Sequence, residues 1–384
     1  MKHKFYNIRG TRYANLGQLD TAISYYEKAL SIKPNYAEAH YNLGYTLQRL
    51  GQLDAAVRSY KKVVAIKPEY AEEHNNKILS VIYFFTNGQI PDAIDTVEAL
   101  IKDYPNDALL YNICGGCYTS LGQLDMAVKN YEKALSIKPD YAVPQHMLNS
   151  LIGYTSKEPP KEYIKNLFDD FAERFDDSLV EGLQYRLPFL IKDLILKLHT
   201  TKSKFEKAID LGCGTGLSGK GLRDVSNNLT GIDISENMVA KARELDVYDS
   251  LIVGDIVDTL NSSQEKYDLF IALDVLIYIG DVKSIFNAVR DCSNKNAFFI
   301  FSVESQMGDG YSLLKSARYS HSDEYILKTA SDGFKLIESQ EVSLRKERDG
   351  WIDGKIFILQ ASWSFYLPLH LYQSGLRLIF SDIL

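Results

Sequence analysis

An acidic residue and three alternating glycines close an apolar run in residues 208–216, which read Ala-Ile-Asp-Leu-Gly-Cys-Gly-Thr-Gly. Glycines at these positions let the backbone turn sharply and approach a ligand without a Cβ clash. A helix that follows such a turn offers its free N–H groups to a polar ligand. The segment therefore predicts a nucleotide-sized cofactor pocket, built mainly from backbone, at the start of a parallel β/α domain.

The same loop also fits the dinucleotide fingerprint G-x-G-x-x-G at residues 214–219, which alone is a weak signal. Asp210 separates the two interpretations, because a carboxylate at the strand end repels a pyrophosphate but suits a ligand with an ammonium group, such as S-adenosylmethionine. A second predicted strand, residues 228–233, ends in Asp233, where a carboxylate can accept both ribose hydroxyls. Both cofactors need that second acid.

Two further predicted strands, residues 250–255 and 267–274, also end in acids, Asp255 and Asp274. Because the carboxyl ends of parallel strands meet at one edge of a sheet, we expect all four strand-end acids to converge there. Any one of them could instead cap the helix that follows it, but their joint spacing favours a binding site. Cys213 has no obvious second nucleophile or metal ligand beside it, so we expect it to fill space.

Taken together, these motifs resemble a class I S-adenosylmethionine-dependent methyltransferase of the small-substrate type, over roughly residues 165–361. The resemblance implies a Rossmann-like, seven-stranded sheet with an antiparallel last strand. It also implies that the glycine loop holds the methionine part, Asp233 the ribose and Asp255 the adenine amino group. The cofactor-binding residues expected on this basis are Asp210, Gly212, Gly214, Gly216, Asp233, Ile234, Asp255, Ile256 and Asp274.

Candidate catalytic groups are Tyr278, just after the fourth predicted strand, and His321, in a predicted loop after the fifth. Methyl transfer needs an aligned nucleophile and, for weak nucleophiles, removal of its proton. The alternatives are an apolar wall for Tyr278 and a structural hydrogen bond for His321. Residues 274–278 lack the Asn-Pro-Pro-Tyr sequence of enzymes that methylate amino groups of bases or glutamine. The acceptor is therefore expected on a small molecule, a carrier-bound metabolite or a protein.

The N-terminal half carries a repeat: Gly-Gln-Leu-Asp at residues 17–20 recurs at 51–54 and 122–125, with a variant at 88–92. Four prolines, at positions 34, 68, 105 and 139, are 34, 37 and 34 residues apart, and the tetratricopeptide period is 34. The sequence resembles four tetratricopeptide repeats, with helix-packing glycines in all but the third. That repeat has three extra residues and Val81 at the glycine position, so we expect its first helix to be slightly displaced.

Stacked helical repeats form a solenoid with a concave binding surface, so the repeats predict a protein or peptide partner. For each candidate groove residue, an ordinary solvated helix face is the alternative. The Cys114–Cys117 pair lies within a predicted helix and has no second pair to complete a zinc site, so we expect packing there and no metal. The residues expected to line or border the groove are Asn7, Tyr41, Asn42, Tyr45, Arg49 and Asn112.

The composition limits the other possibilities. The chain has 384 residues and a net charge of −7, with no concentrated basic stripe, so nucleic acid is a poor substrate expectation. Four cysteines, a polar start and no apolar run long enough to span a membrane favour the cytoplasm. The main alternative to an enzyme is a repeat adaptor whose methyltransferase-like domain only binds cofactor.

The predicted organisation is an α-solenoid followed by an α/β domain. Residues 159 and 160, both proline, are expected to break a capping helix and to leave a short hinge. The predicted parts are repeats at 1–141, a capping helix and linker at 142–160, the methyltransferase domain at 161–361 and a tail of unknown structure at 362–384.

Overall fold

A computed structural model shows a helical N-terminal part followed by an α/β part, as predicted. The tail from residue 363 onward lies outside the residues that the structure describes. Those residues are 2–50, 52–68, 77–172, 175–176, 179, 182–198, 204–347 and 350–362.

The N-terminal part is a row of helices, each packed against the next. Gly17, Gly88 and Gly122 all adopt φ +74° in the turns within repeats, a conformation that glycine accepts without Cβ strain. The helices are α1 (Lys2–Asn15), α2 (Leu19–Ile32), α3 (Ala37–Arg49), α4 (Leu53–Ile66), α5 (Lys77–Thr86), α6 (Ile90–Asp103), α7 (Ala108–Ser120), α8 (Leu124–Ile137) and α9 (Ala142–Ile152).

Glycine-to-tyrosine contacts hold each regular repeat together. A Cβ on Gly10 would lie 2.6 Å from the ring of Tyr26, and one on Gly115 would lie 2.7 Å from the ring of Tyr131. The third repeat has valine at both equivalent positions, 81 and 97, and both are fully buried in one apolar cluster. In the third repeat, valine therefore replaces both the glycine and the tyrosine, so the combined volume of the two side chains is conserved.

The C-terminal part is built on one nine-stranded sheet. Seven strands follow the expected pattern in the order β3-β2-β1-β4-β5-β9-β8, and β9 is antiparallel to β5. The other two, β6 and β7, form a hairpin that pairs with the end of β5. The strands are β1 (Phe205–Leu211), β2 (Ser226–Asp233), β3 (Ser250–Val253), β4 (Tyr267–Ala272), β5 (Ser293–Ser305), β6 (Tyr311–Leu313), β7 (Tyr319–His321), β8 (Phe334–Glu347) and β9 (Gly350–Ala361).

Helices cover the sheet, and two apolar clusters fill the space between them and the strands. A short 3-10 helix, Leu276–Tyr278, follows β4. No helix among the described residues is long and apolar enough to cross a membrane. The covering helices are α10 (Lys161–Phe171), α11 (Leu187–Leu198), α12 (Gly219–Val225), α13 (Glu236–Glu244), α14 (Ile256–Ser262), α15 (Lys283–Asp291) and α16 (Asp323–Ala330).

The segment between the two parts is bonded to the β6–β7 hairpin and its surroundings. His146, on α9, is 1% exposed, and its Nε2 lies 3.0 Å from the carbonyl oxygen of Ala317 in the hairpin turn. Ser156 Oγ lies 2.7 Å from the Tyr319 hydroxyl, and the Leu313 N–H donates to Thr155 Oγ1 at 3.1 Å. These bonds attach the linker to the α/β part, and the short hinge stays a prediction.

Candidate functional site

A cavity of about 620 Å³ opens at the carboxyl edge of the parallel strands. Its lining combines the loop after β1, the residues that follow β2, β3 and β4, the helix α10 and the hairpin turn at Ser316 to Arg318. Apart from Asp210 and Gly216, all the expected cofactor residues line this one cavity.

The glycine loop has the backbone geometry that its sequence predicts. Gly212, Gly214 and Gly216 have φ of +70°, +53° and +91°, which side chains other than glycine rarely adopt. A Cβ on Gly212 would lie 2.5 Å from Val275 Cγ2, whereas one on Gly214 would come no closer than 3.5 Å, to the edge of Phe175. Gly214 therefore presents bare backbone to the cavity, as a close-approaching ligand requires.

Asp233 anchors this loop from the end of β2. Its Oδ2 accepts from the Gly214 N–H at 2.9 Å, and its Oδ1 accepts from the Ser235 N–H at 2.8 Å. The residue is 7% exposed, and burial raises its pKa to about 6 despite those N–H groups. Asp233 thus shapes the loop as well as facing the cavity.

Asp210 has a different position from the one expected. It is 2% exposed at the end of β1 and does not line the cavity. Its Oδ2 accepts from the Tyr248 hydroxyl at 2.8 Å. Burial raises its pKa to about 7, the Tyr248 hydrogen bond opposes that rise, and the charge of Asp233 adds to it. A direct contact between Asp210 and a ligand ammonium is therefore not what this geometry offers. No sequence signal pointed to Tyr248.

Asp255 combines the two roles that the sequence left open. Its Oδ1 accepts from the Asp258 N–H at 3.0 Å and so caps α14, while its Oδ2 lies 3.2 Å from Lys161 Nζ. Asp255 and Ile256, the first residue of α14, both line the cavity, as does Ile234 after β2.

Helix α10 and the residues after it form the cover of the cavity. The Ser235 hydroxyl donates to Asp169 Oδ1 at 2.6 Å, and Asn237 Nδ2 donates to the Asp169 carbonyl at 3.1 Å. The Thr215 hydroxyl in the glycine loop donates to Asp176. Sequence reasoning missed these acids because their partners lie at least 39 residues away along the chain.

Aromatic side chains form part of the cavity wall. Phe168 lies edge-to-face with Tyr278 at 5.1 Å between ring centroids, and Phe171 lies edge-to-face with Phe175 at 5.6 Å. All four residues line the cavity. The three phenylalanines thus pack on one another and also form part of the cavity wall.

A charged cluster contributes to the same wall. Arg345, on β8, is 2% exposed and contacts Asp274, Glu304 and Glu347; its Nη1 lies 3.2 Å from Asp274 Oδ2. Arg318 Nε lies 3.1 Å from Glu304 Oε1, and its Nη2 contacts Glu347. Neither arginine was found from the sequence.

His321 is not in a loop, and that expectation is wrong. It ends β7, is fully buried and does not line the cavity. Its Nε2 lies 2.9 Å and 3.0 Å from the carbonyl oxygens of Ile279 and Gly280. Burial lowers its pKa to about 4. This geometry matches the structural alternative, because the histidine holds the segment after β4 in place.

The candidate groove residues of the repeats divide into two groups. Asn42 Nδ2 donates to Asn7 Oδ1 at 3.1 Å between α3 and α1, and Arg49 Nη1 donates to the Ala14 carbonyl at 3.2 Å. Asn112 Nδ2 donates to the Tyr141 hydroxyl at 3.2 Å. Tyr41 is half-buried, with its ring 6.3 Å from that of Tyr60, whereas Tyr45 is 52% exposed. Most of the six therefore make contacts between helices.

Comparison with known proteins follows the same division of the chain. Tetratricopeptide-repeat models match residues 10–51, 37–70 and 108–141, and a methyltransferase-domain model matches residues 202–343. The chain thus consists of tetratricopeptide repeats followed by a methyltransferase domain.

The relatives match only parts of the chain. A ubiquinone biosynthesis O-methyltransferase of Hydrogenovibrio crunogenus is 26% identical over 155 residues, which are 38% of this chain and 63% of that protein. Hsp70-Hsp90 organizing protein 3 of Arabidopsis thaliana is 28% identical over 96 residues, 25% of this chain and 15% of that protein. The chain therefore spans less than two thirds of the length of either relative.

Among solved structures, magnesium protoporphyrin IX methyltransferase from Synechocystis PCC 6803 with bound SAH aligns over 53% of this chain and 99% of its own, at 17% identity and a TM-score of 0.41.

Proposed function

We propose that the chain transfers a methyl group from S-adenosylmethionine to a small-molecule, carrier-bound or protein acceptor. The observation that carries this proposal is a single cavity that is lined by the bare Gly214 backbone, Asp233 and Ile256 and also by aromatic and charged side chains. When bound, S-adenosylmethionine supplies an electrophilic methyl group. The domain organisation predicted from the sequence, residues 1–141, 142–160 and 161–361, belongs to the same proposal.

The residues present fit that cofactor in three respects. A carboxylate at Asp233 is placed to accept ribose hydroxyls, and its oxygens are already oriented by two N–H groups. Asp255 and the start of α14 offer a carboxylate and an N–H group for an adenine edge. The positive φ at Gly214 leaves space that a side chain would fill. Asp210 supports this end indirectly, through Tyr248.

The protein residues exclude water and orient the acceptor. Phe168, Phe171, Phe175 and Tyr278 cover the acceptor end of the cavity. Two hydrogen bonds attach this cover to the rest of the site. Asp176 accepts from the glycine loop, and Asp169 accepts from Ser235 after β2. Desolvation of this kind strengthens the electrostatic interactions inside a site.

A label-transfer experiment tests this function. Cell extract is incubated with the protein and an isotopically labelled methyl donor, and mass spectrometry identifies the molecule that gains the label. We expect one labelled product with the wild type and none with Gly214→Val, whose side chain would occupy the space above the loop. Gly308→Val is the matched control, since Gly308 also has positive φ, at +96°, but has no atom within 4 Å of its Cβ position.

The alternative function is a repeat adaptor that binds cofactor without turnover. Retention of cofactor affinity with no labelled product in any extract would favour it. For the repeats, we propose a protein or peptide partner bound through the solenoid, with the exposed Tyr45 as the first residue to replace. Loss of methylation of a protein acceptor in Tyr45→Ala, at unaltered cofactor affinity, would connect the two halves.

A further inference from the structure

The acceptor end of the cavity contains a carboxylate oxygen that is not satisfied. Asp274 Oδ1 is buried and has no hydrogen-bond partner among the residues that the structure describes, while Oδ2 lies 3.2 Å from Arg345. A buried acceptor without a partner is costly, and native proteins usually satisfy such atoms. The oxygen is therefore a candidate acceptor for a bound ligand.

The backbone at Asp274 is held in an unfavourable conformation. Its φ is +55°, which is uncommon for a residue other than glycine, and its N–H donates to the Ser302 hydroxyl oxygen at 2.8 Å. Such conformations persist where the surroundings fix them, and they are concentrated at functional sites. Ser302 thus holds the backbone of Asp274, and Arg345 holds one oxygen of its carboxylate.

The two arginines beside Asp274 are already paired. The three donor positions of Arg345 contact Glu347, Asp274 and Glu304, and Arg318 contacts the same two glutamates. Three carboxylates thus face two guanidinium groups, which leaves one excess negative charge in the cluster when all three carboxylates are ionised; burial raises the pKa of Asp274, and a ligand cation would favour its ionised form. A ligand carboxylate or phosphate would compete with bonds already made, whereas a ligand cation would balance the charge.

Aromatic rings line the same cavity as this carboxylate, and Tyr278 is one of them. Tyr278 is in turn 5.1 Å from Phe168 between ring centroids. Aromatic faces attract cations and also pack against apolar groups. The surroundings of Asp274 thus combine an anion with a largely aromatic wall.

From these observations we propose that the acceptor subsite binds an amine attached to an apolar or aromatic body, with the ammonium group donating to Asp274 Oδ1. The proposal rests on the proposed function for its location and deepens it by naming the class of acceptor. It also moves Asp274 from the cofactor residues, where the resemblance placed it, to the acceptor side.

Matched small probes test the charge preference directly. Full-length protein saturated with S-adenosylhomocysteine is titrated with phenethylamine, 3-phenylpropionate and 2-phenylethanol, and binding is followed by ligand-observed NMR. We expect phenethylamine to bind at least tenfold more tightly than either other probe. In Asp274→Asn that preference should fall to less than twofold, while the affinity for S-adenosylhomocysteine stays within twofold of the wild type.

Asp281→Asn is the matched control. Asp281 also lines the cavity, but its Oδ1 already accepts from the Tyr325 hydroxyl at 3.0 Å and from the Lys283 N–H at 3.2 Å. The amine preference should survive in this variant. Tighter binding of 3-phenylpropionate, or no binding of phenethylamine at millimolar concentration, would overturn the proposal.

The cofactor titration separates this proposal from the proposed function. If Asp274→Asn loses affinity for S-adenosylhomocysteine and for the amine together, Asp274 is a cofactor residue and the acceptor assignment is wrong. If the wild type binds no S-adenosylhomocysteine, the failure lies with the proposed function instead. Thermal melting of each variant, read beside the cofactor affinity, reveals a variant that has failed to fold.

Discussion

The solenoid and the cavity are built from different kinds of contact. In the solenoid, Gly10 meets Tyr26 and Gly115 meets Tyr131, and each pair is 16 residues apart. Around the cavity, Asp169 bonds Ser235 and Asp274 bonds Arg345, across 66 and 71 residues. A local contact that recurs leaves a period in the sequence, whereas a single long-range contact leaves none. The difference explains which residues could be found without a structure.

The two regions meet at the β6–β7 hairpin. His146, on the last solenoid helix, bonds the carbonyl of Ala317, and Ala317 also lines the cavity. The solenoid therefore supports one wall of the site directly. The contact between His146 and Ala317 therefore joins the solenoid, which is built from local contacts, to the cavity, which is built from long-range contacts.

The largest expected effect is in the long-range region, at Arg345. Arg345→Met would leave the buried Glu304 and the partly buried Asp274 and Glu347 close together without one of their two cations, so we expect a loss of about 3–5 kcal/mol in the free energy of unfolding. Urea denaturation measures it. The matched control is Arg290→Met, whose partners Asp291 and Asp332 are exposed, and its loss should stay below about 1 kcal/mol. Equal losses would mean that the cluster is no more important than a surface ion pair.

The local region should be most sensitive at its glycines. Gly115→Ala places a Cβ 2.7 Å from the Tyr131 ring, and we expect a loss of about 1–3 kcal/mol from overpacking. Its neighbour is the control, since a Cβ on Gly116 would meet only the Tyr131 hydroxyl oxygen, at 4.0 Å. Gly116→Ala should be neutral or stabilising by up to about 1 kcal/mol, because alanine favours the helix. Thermal melts of both variants decide the matter, and similar losses would contradict the packing account.

His321 gives the hairpin a pH dependence. Burial lowers its pKa to about 4 from an ordinary 6.5, so the unfolded chain binds a proton that the folded chain excludes between those values. Its contribution to stability is therefore present above about pH 6.5 and is lost as the pH falls towards 4. By pH 5 the loss relative to pH 7 should be about 2 kcal/mol.

The raised pKa of Asp210 changes the stability in the opposite direction over the same pH range. Comparison of the wild type with His321→Asn isolates the effect of His321, because Asp210 is present in both proteins. Urea denaturation of each at pH 7 and pH 5 gives the difference in unfolding free energy. A difference that does not change with pH would show that His321 titrates normally in the fold.

The smallest expected effect is at the junction. His146→Ala removes the bond to Ala317 and the ring contact with Tyr163, 4.5 Å away, and we expect a loss of about 1 kcal/mol with an altered cavity wall. His40→Ala is the control, since His40 Nε2 lies 2.8 Å from the carbonyl of Pro34 within its own repeat. Hydrogen exchange at residues 311–321 should rise only in His146→Ala. A rise in both variants, or in neither, would argue against support of the wall by the solenoid.

Sequence reasoning singled out more of the residues around the glycine loop than of the charged cluster beside Asp274. The glycine loop, Asp233 and Asp255 follow a short motif whose geometry is set by local backbone and by parallel strand order. Asp210 was placed on the correct strand, but its partner Tyr248 lies 38 residues away and redirects its carboxylate. His321 was missed as a strand residue because β6 and β7 have three residues each, too few to show an alternating pattern. Arg318 and Arg345 become neighbours only once β5, β7 and β8 are assembled.

Calorimetry shows whether the cavity beside Gly214 and Asp233 binds a methyl donor. The full chain is titrated with S-adenosylmethionine, S-adenosylhomocysteine and NAD, beside an Asp233→Ala variant. We expect one molecule of either sulfur ligand per chain, weaker binding of NAD, and a loss of roughly 1–3 kcal/mol of binding free energy in Asp233→Ala, because hydrogen bonds to a charged acceptor are removed. Tighter binding of NAD, or an affinity for S-adenosylmethionine that Asp233→Ala leaves unchanged, would contradict the account.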